Sequence, residues 1–266
     1  MEGEAARPPR FSYDHSRPLG LRLGSMESNA GVVRQALTFD AGHGRKSGFW
    51  THPADGSGPW PVVLFSPGYG GTASEQLPDA DRLARKGIAS LTLAPPGSLL
   101  SCRGATDVRS FAGYVVGRRR ALDLIPLLRG ADATRVAAVG FSFGSAVTAA
   151  LAGVDHRLRG AAIQSGRAHL SAAIGVACKR LGSKRLKAYV RAYSVIDPVH
   201  YVGAAAPVSL LFQNGAHDPI SPHLDVEAYV RAASRPKEAR TYESGHELND
   251  EARSDLDGWL VQLLLR

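Results

Sequence analysis

Two rhythms of apolar residues alternate along the chain. Runs at 61–66 (PVVLFS), 88–93 (IASLTL) and 136–140 (VAAVG) are largely apolar and free of charge, as parallel strands buried on both faces require. Shorter runs at 161–164, 208–212 and 240–242 continue the series. Between them the spacing changes to that of one-sided helices. Residues 73–86 place Leu77, Ala80, Leu83 and Ala84 on one side, ahead of Gly87, a residue suited to ending a helix. Residues 106–128 do the same with Phe111, Val115, Leu122 and Ile125, and Pro126 should kink or end that helix. The stretch 143–152 is short and rich in small side chains. Helices at 223–233 and 250–265 close the chain, the last with Leu256, Leu260, Leu263 and Leu264 for burial. Strand and helix in turn predict βαβ units around a mostly parallel central sheet flanked by helices, an α/β fold.

Three stretches depart from that alternation. Residues 35–40 and 46–52, separated by AGHGR, read as an antiparallel hairpin ahead of the parallel series. Residues 166–206 hold two helices where one is usual, and read as a small cap inserted over one end of the sheet. Residues 1–30 carry little periodicity and read as an N-terminal arm, wrapped on the domain or partly disordered. The remainder, 31–266, shows neither a repeat nor a linker and reads as a single domain with the cap inside it.

Composition narrows the class. A chain of 266 residues with 44% hydrophobic positions, 29 Gly and 16 Pro excludes a mostly disordered or collagen-like protein. No apolar run approaches the roughly 18 residues of a membrane-spanning helix. The polar, Pro-interrupted N-terminus lacks the apolar core of a secretory signal. Two cysteines make no disulfide framework. A cytoplasmic protein without a membrane partner is therefore expected, with Cys102 and Cys178 as two free buried thiols. They come within reach of each other if the cap folds over the loop after the 88–93 strand.

Charge asks a further question. Lys and Arg number 32 against 24 Asp and Glu, a formal net charge of +8. The excess concentrates at Arg118-Arg119-Arg120 and between Lys179 and Arg191. In the second stretch Leu186, Tyr189, Val190 and Tyr193 form one helical stripe with the basic residues mostly off it, so both clusters read as solvated helix faces. Neither zinc-finger spacing nor aromatic-basic interleaving is present, and nucleic acid is not expected as a partner. The second cluster lies in the cap, where it would favour anionic substrates.

The strongest chemical signal is Gly140-Phe141-Ser142-Phe143-Gly144. It directly follows an apolar strand and opens a small-residue helix. A serine held in so sharp a strand-to-helix turn needs glycine at both flanks, where a Cβ has no room. The turn lifts the hydroxyl to the carboxyl ends of the strands and aims the positive end of the helix at an oxyanion. A serine nucleophile needs a base, and the base an orienting carboxylate. Asp218 follows the 208–212 strand in NGAHD, and His246 follows the 240–242 strand in ESGHE. Both would therefore stand at the same end of the sheet as Ser142.

The order Ser142, Asp218, His246, each after a predicted strand, resembles the serine α/β-hydrolases over residues 31 to the end. Asn214-Gly215-x-x-Asp218 and Gly245-His246 match the acid and histidine motifs, and the likeness is greatest to the carboxylesterase and dienelactone-hydrolase-like group. PVVLFSPGYGG followed by KGIASLTLAPPG is also similar to polyester hydrolases and platelet-activating-factor acetylhydrolases. The resemblance implies an α/β-hydrolase fold with a small helical cap and hydrolysis of short or medium acyl esters through an acyl-enzyme. It implies no metal and no organic cofactor. It also implies an oxyanion hole from the backbone N–H groups of Phe143 and Tyr69, the latter after Gly68. Pro67 stands where the family more often has histidine. The side chains of Tyr69 and Phe143 would wall the substrate pocket.

Other residues compete for these roles. His217 adjoins Asp218, but neighbours in a loop diverge. Asp197, in SVIDPVH, is an alternative acid, although its place before Pro198 suits a helix cap. Glu243 and Glu247 flank His246 too closely to orient its ring, and His217, Asp218 and His223 fit no metal-ligand spacing. The same three residues would serve a peptidase, amidase or acyltransferase, and the fold also occurs in non-catalytic binding proteins.

Overall fold

A computed structural model describes residues 11–96 and 100–266. Residues 1–10 of the expected arm, and Gly97 of the APPG segment, lie outside the described residues. Nine strands form one sheet in the order β1-β2-β3-β5-β4-β6-β7-β8-β9. Strands β1 (Arg22–Asn29), β2 (Val32–Asp40) and β3 (Arg45–Pro53) are antiparallel, and β3 meets β5 (Ala89–Leu93) antiparallel as well. From β5 onward all pairings are parallel, through β4 (Trp60–Ser66), β6 (Ala131–Phe141), β7 (Gly160–Gln164), β8 (Ser209–Gly215) and β9 (Lys237–Tyr242).

Alternation along the buried strands decides which helix covers which face. Val62 and Leu64 of β4 belong to the cluster under α2 (Gly104–Leu124), α3 (Phe143–Val154) and α6 (His223–Ala232). Val63 and Phe65 face the other way, with Leu83 of α1 (Leu77–Ala84) and Leu256, Trp259 and Leu260 of α7 (Asp250–Leu265). Pro126 ends α2 as expected, in a 3-10 turn at Ile125–Leu127. Between β7 and β8 lie α4 (Leu170–Ala177), α5 (Ser183–Tyr193) and several 3-10 turns. These two helices share an apolar cluster with Phe111 of α2 and Phe143 of α3, through Leu170, Ile174, Tyr189 and Tyr193.

Four expectations change. Residues 22–29, within the stretch read as lacking elements, form edge strand β1. All eight are exposed, so backbone pairing with β2 carries the strand and no apolar face announces it. The helix expected from residue 73 begins only at Leu77. Arg118 and Arg120 are fully buried rather than solvated. Arg120 donates to the carbonyls of Asp40, Arg17 and Pro18, and Arg119 to the carbonyl of Phe11 at 2.8 Å, so α2 holds the segment that precedes β1. Finally, Cys102 and Cys178 are not free thiols. They form a disulfide across 76 residues of chain, fastening the end of α4 to the loop before α2. By contrast Lys179, Arg180, Lys184, Arg185, Lys187 and Arg191 do lie on an exposed face.

Candidate active site

Three strand ends and the turns after them bring the expected triad together. Ser142 sits between β6 and α3 at φ 53°, ψ −116°, a conformation that non-glycine residues rarely hold. Its neighbours make this possible. A Cβ on Gly140 would collide with the carbonyl of Gly144, and one on Gly144 with the carbonyl of Ser66. Only glycine lets β6, α3 and the end of β4 approach so closely. The turn is pinned from below, with the Ser142 N–H donating to the Gln164 carbonyl at 2.9 Å. From the helix side, Ser145 donates through N–H and hydroxyl to the Ser142 carbonyl at 3.0 and 2.5 Å.

The hydroxyl of Ser142 lies 2.8 Å from His246 Nε2, and His246 Nδ1 lies 2.8 Å from Asp218 Oδ2. The other oxygen of Asp218 accepts from the N–H groups of Ile220 and Ser221 at 2.8 and 3.1 Å. Its side chain has no exposed surface, whereas that of His246 keeps 17%. The carboxylate is therefore fully engaged, and the histidine remains open on one side. The Phe141 ring packs against the imidazole with centroids 5.2 Å apart.

Residues outside the triad hold this arrangement, and of them only Asn214 belongs to a motif singled out from the sequence. Ser165, at φ 48° just past β7, donates through its hydroxyl to the His246 carbonyl at 2.6 Å. Its own carbonyl accepts from the hydroxyl of Ser221 at 3.0 Å, beside the acid loop. Asn214 donates to the Gly166 carbonyl at 3.0 Å, which joins the end of β8 to the same turn. Arg167 donates to the Ile220 carbonyl at 2.6 Å and pairs with Asp225. The only sequence signal for Ser165 is its place at a strand end.

Of the two residues named from the sequence as main-chain donors, one adjoins Ser142 in the chain and the other follows a glycine that lies close to it. Phe143 opens α3, so its N–H has no acceptor within the helix. Tyr69 follows Gly68, and a Cβ built on Gly68 would stand only 3.4 Å from the Ser142 Cβ. One side chain departs from expectation. Tyr69 is 59% exposed, while Phe143 is buried, stacked on Tyr114 and edge-on to Phe111. The Phe143 ring therefore belongs to the core rather than to a pocket wall.

The rivals are placed elsewhere. Asp197 is buried and accepts from the N–H and hydroxyl of Ser171, both at 2.7 Å, capping α4. Burial pushes its carboxyl up, against the lowering effect of those bonds. His217 points into solvent and pairs with Glu243 at 3.0 Å, and His223 pairs with Glu227. Glu247 lines a small cavity beside Phe141 and Gln164. Among the described residues, no group of three or more His, Cys, Asp or Glu side chains is arranged to hold a metal ion.

A parallel sheet with such a serine turn and an insertion before the acid strand is an α/β-hydrolase arrangement. The esterase family described as FrsA-like matches residues 25–234 of this chain. The chain belongs to the FrsA-like esterase family. It is thus a hydrolase acting on esters, with the α/β-hydrolase fold. The family match includes Ser142 and Asp218 and ends before His246. No curated protein matches the sequence. Among solved structures, an acetyl xylan esterase of a Paenibacillus species superposes with a TM-score of 0.77 at 18% identity, covering 93% of this chain and 90% of that one. Acetyl xylan esterase 1 of a Thermoanaerobacterium species gives 0.78 at 15% identity, with 93% and 88% covered. A putative dienelactone hydrolase of Klebsiella pneumoniae gives 0.67 at 19% identity, with 90% and 100% covered. At such identities the likeness is one of fold.

Proposed function

We propose that this FrsA-like esterase is a serine carboxylesterase acting on short or medium acyl esters through an acyl-enzyme. The observation that carries this reading is the continuous hydrogen-bonded line from Ser142 Oγ through His246 to the buried Asp218. His246 takes the hydroxyl proton as Ser142 Oγ attacks the ester carbonyl. Asp218 holds the ring in the tautomer that leaves Nε2 free, and stabilises the imidazolium that forms. The N–H groups of Phe143 and Tyr69 receive the developing oxyanion, each donor of this kind contributing about 3–4 kcal/mol to the transition state. The imidazolium then protonates the departing alkoxide. A water deprotonated by His246 next attacks the acyl carbonyl, and collapse of the second tetrahedral intermediate frees the acid and restores Ser142.

Two cavities reach residues next to the triad, Tyr69 in one and Phe141 in the other, although Ser142, Asp218 and His246 line neither. One cavity of about 480 Å³ lies along Tyr69, Gly70 and Phe49, and another of about 390 Å³ lies beside Phe141, Gln164 and Glu247. Both lie at the low end of the range for small-molecule sites. Their sizes support short or medium acyl groups, with the exposed Tyr69 ring as one wall. No resident cofactor or metal enters this scheme, and nucleic acid and membrane have no part in it. The Cys102–Cys178 disulfide favours an oxidising setting over the cytoplasm expected from the sequence. The reading is tested with a p-nitrophenyl ester series from acetate to palmitate. The expected result is kcat/KM greatest between the acetyl and octanoyl esters and abolished by Ser142→Ala. A maximum at palmitate would overturn the acyl-length assignment, and full activity in Ser142→Ala would overturn the mechanism.

A further inference from the structure

A cavity of about 650 Å³ lies between α2 and the ends of β2, β3 and β5, and none of Ser142, Asp218 and His246 lines it. Its size suits a small organic ligand. Phe39, Ala41, Val108 and Val116 supply apolar wall, and Lys46 and Arg118 reach the same surface. Of the other linings, His43 and Arg109 are basic too. No aspartate or glutamate is among them, although the chain has 24.

Arg118 is the informative residue. It is only 2% exposed, yet forms no ion pair among the described residues. Its partners are all neutral: Nε donates to the Ser66 hydroxyl at 2.9 Å, and Nη2 to the Leu93 carbonyl at 2.9 Å and the Tyr114 hydroxyl at 3.2 Å. Nη1 has no acceptor among the described residues. A buried guanidinium ordinarily has a carboxylate beside it, because removing its hydration costs several kcal/mol. The neighbouring Arg119 has one, in Asp155, and the equally buried Arg120 has four backbone carbonyls as acceptors, where Arg118 has only one. Lys46 is in the same position, half-buried and without an ion pair among the described residues. Burial lowers its ammonium pKa, and the Arg118 charge lowers it further. Two desolvated cations on an apolar wall lack one thing, a negative charge carried on an apolar body.

We propose that this cavity binds a carboxylate with a hydrocarbon body, its head group taken by Lys46 and Arg118 and its chain laid along the α2 wall. The carboxylate supplies the acceptor that Nη1 lacks and the countercharge that both cations lack. Because Arg118 also holds Ser66, at the start of the loop that carries Tyr69, the occupant sits next to the esterase site without entering it.

Calorimetric titration of octanoate and of the neutral octanamide tests this, in the parent protein and in Ser142→Ala. The expected result is equal octanoate affinity in both, and at least about tenfold weaker binding of octanamide. Lys46→Gln should weaken octanoate by about the same factor. Ala112→Phe, which puts a ring into the cavity and leaves both cations in the chain, should abolish binding. Unfolding curves of the two variants confirm that each is folded. Absence of octanoate binding, equal affinity for octanamide, or parental affinity in both Lys46→Gln and Ala112→Phe would each overturn the site. Octanoate is not an ester and the readout is binding, so the outcome is independent of how the esterase reading fares.

Discussion

Ser142 holds an unfavourable backbone conformation because bonds from both sides over-determine it, from Gln164 below and Ser145 above. Both carboxylate oxygens of Asp218 are hydrogen-bonded, Oδ1 to its own loop and Oδ2 to His246, and Asp218→Asn keeps the shape of that group while changing what it presents to the ring. Asp218→Asn is expected to lower kcat by about 10³–10⁴-fold, since an amide presents the wrong partner to Nδ1–H. Asp197→Asn should leave kcat near the parent value and lower Tm, because Asp197 caps α4 and does not touch His246. Steady-state kinetics with thermal melts of the two variants separates these outcomes. At this scale the three proposed catalytic residues were legible, since each stands after a strand, and the turns of Ser142 and Asp218 carry glycines that leave no room for a Cβ. Ser165 and Arg118 were not. A serine after a strand and one arginine among three look ordinary until distant segments supply the His246 carbonyl and the Ser66 hydroxyl that they bond.

Elements with a buried face announced themselves, and those held by backbone or by long-range bonds did not. The strands β4 to β8 read directly from apolar runs. Edge strand β1 has no apolar face, and β2 supplies its pairing. The two cysteines were correctly seen as able to meet, but not as bonded, because the docking of α4 against the loop before α2 is set by the whole 76-residue excursion. Closing a loop of that length restricts the unfolded chain by about 4 kcal/mol in the chain-entropy treatment. Urea unfolding with and without dithiothreitol should therefore show a large loss of stability on reduction, and superimposable curves would refute the bond. A second link ties α2 to the chain after α3. Asp155 is buried between Arg119 and Arg157. Burial works to raise its carboxyl pKa, but bonds to the two guanidinium groups outweigh it and hold the pKa below the ordinary 3.8. A depressed pKa contributes stability that is complete above the ordinary value and lost as pH falls through the folded one. Asp155→Asn should thus cost about 2 kcal/mol at neutral pH. Its deficit should shrink as pH is lowered below about 4.

Over the whole molecule, charge is divided unevenly. From His156 to Ile196 the chain has no acidic residue, and the exposed face of α5 carries most of the free cations of that stretch. If this face steers substrate, kcat/KM for a dicarboxylic monoester should fall steeply between low and physiological salt, whereas a neutral ester of equal size should respond little. The same response for both would remove the face from the account. The fold around it is a scaffold that delivers three strand ends to one place, and what that place does rests on the nucleophile. The most direct measurement is therefore of covalent occupancy. The protein is treated with a fluorophosphonate, its intact mass and peptides are analysed, and residual p-nitrophenyl acetate hydrolysis is followed in parallel. One adduct per chain on the peptide containing Ser142, rising in proportion to the activity lost, is the predicted result. Complete inactivation with the adduct on another residue, or undiminished hydrolysis by protein fully modified at Ser142, would contradict it.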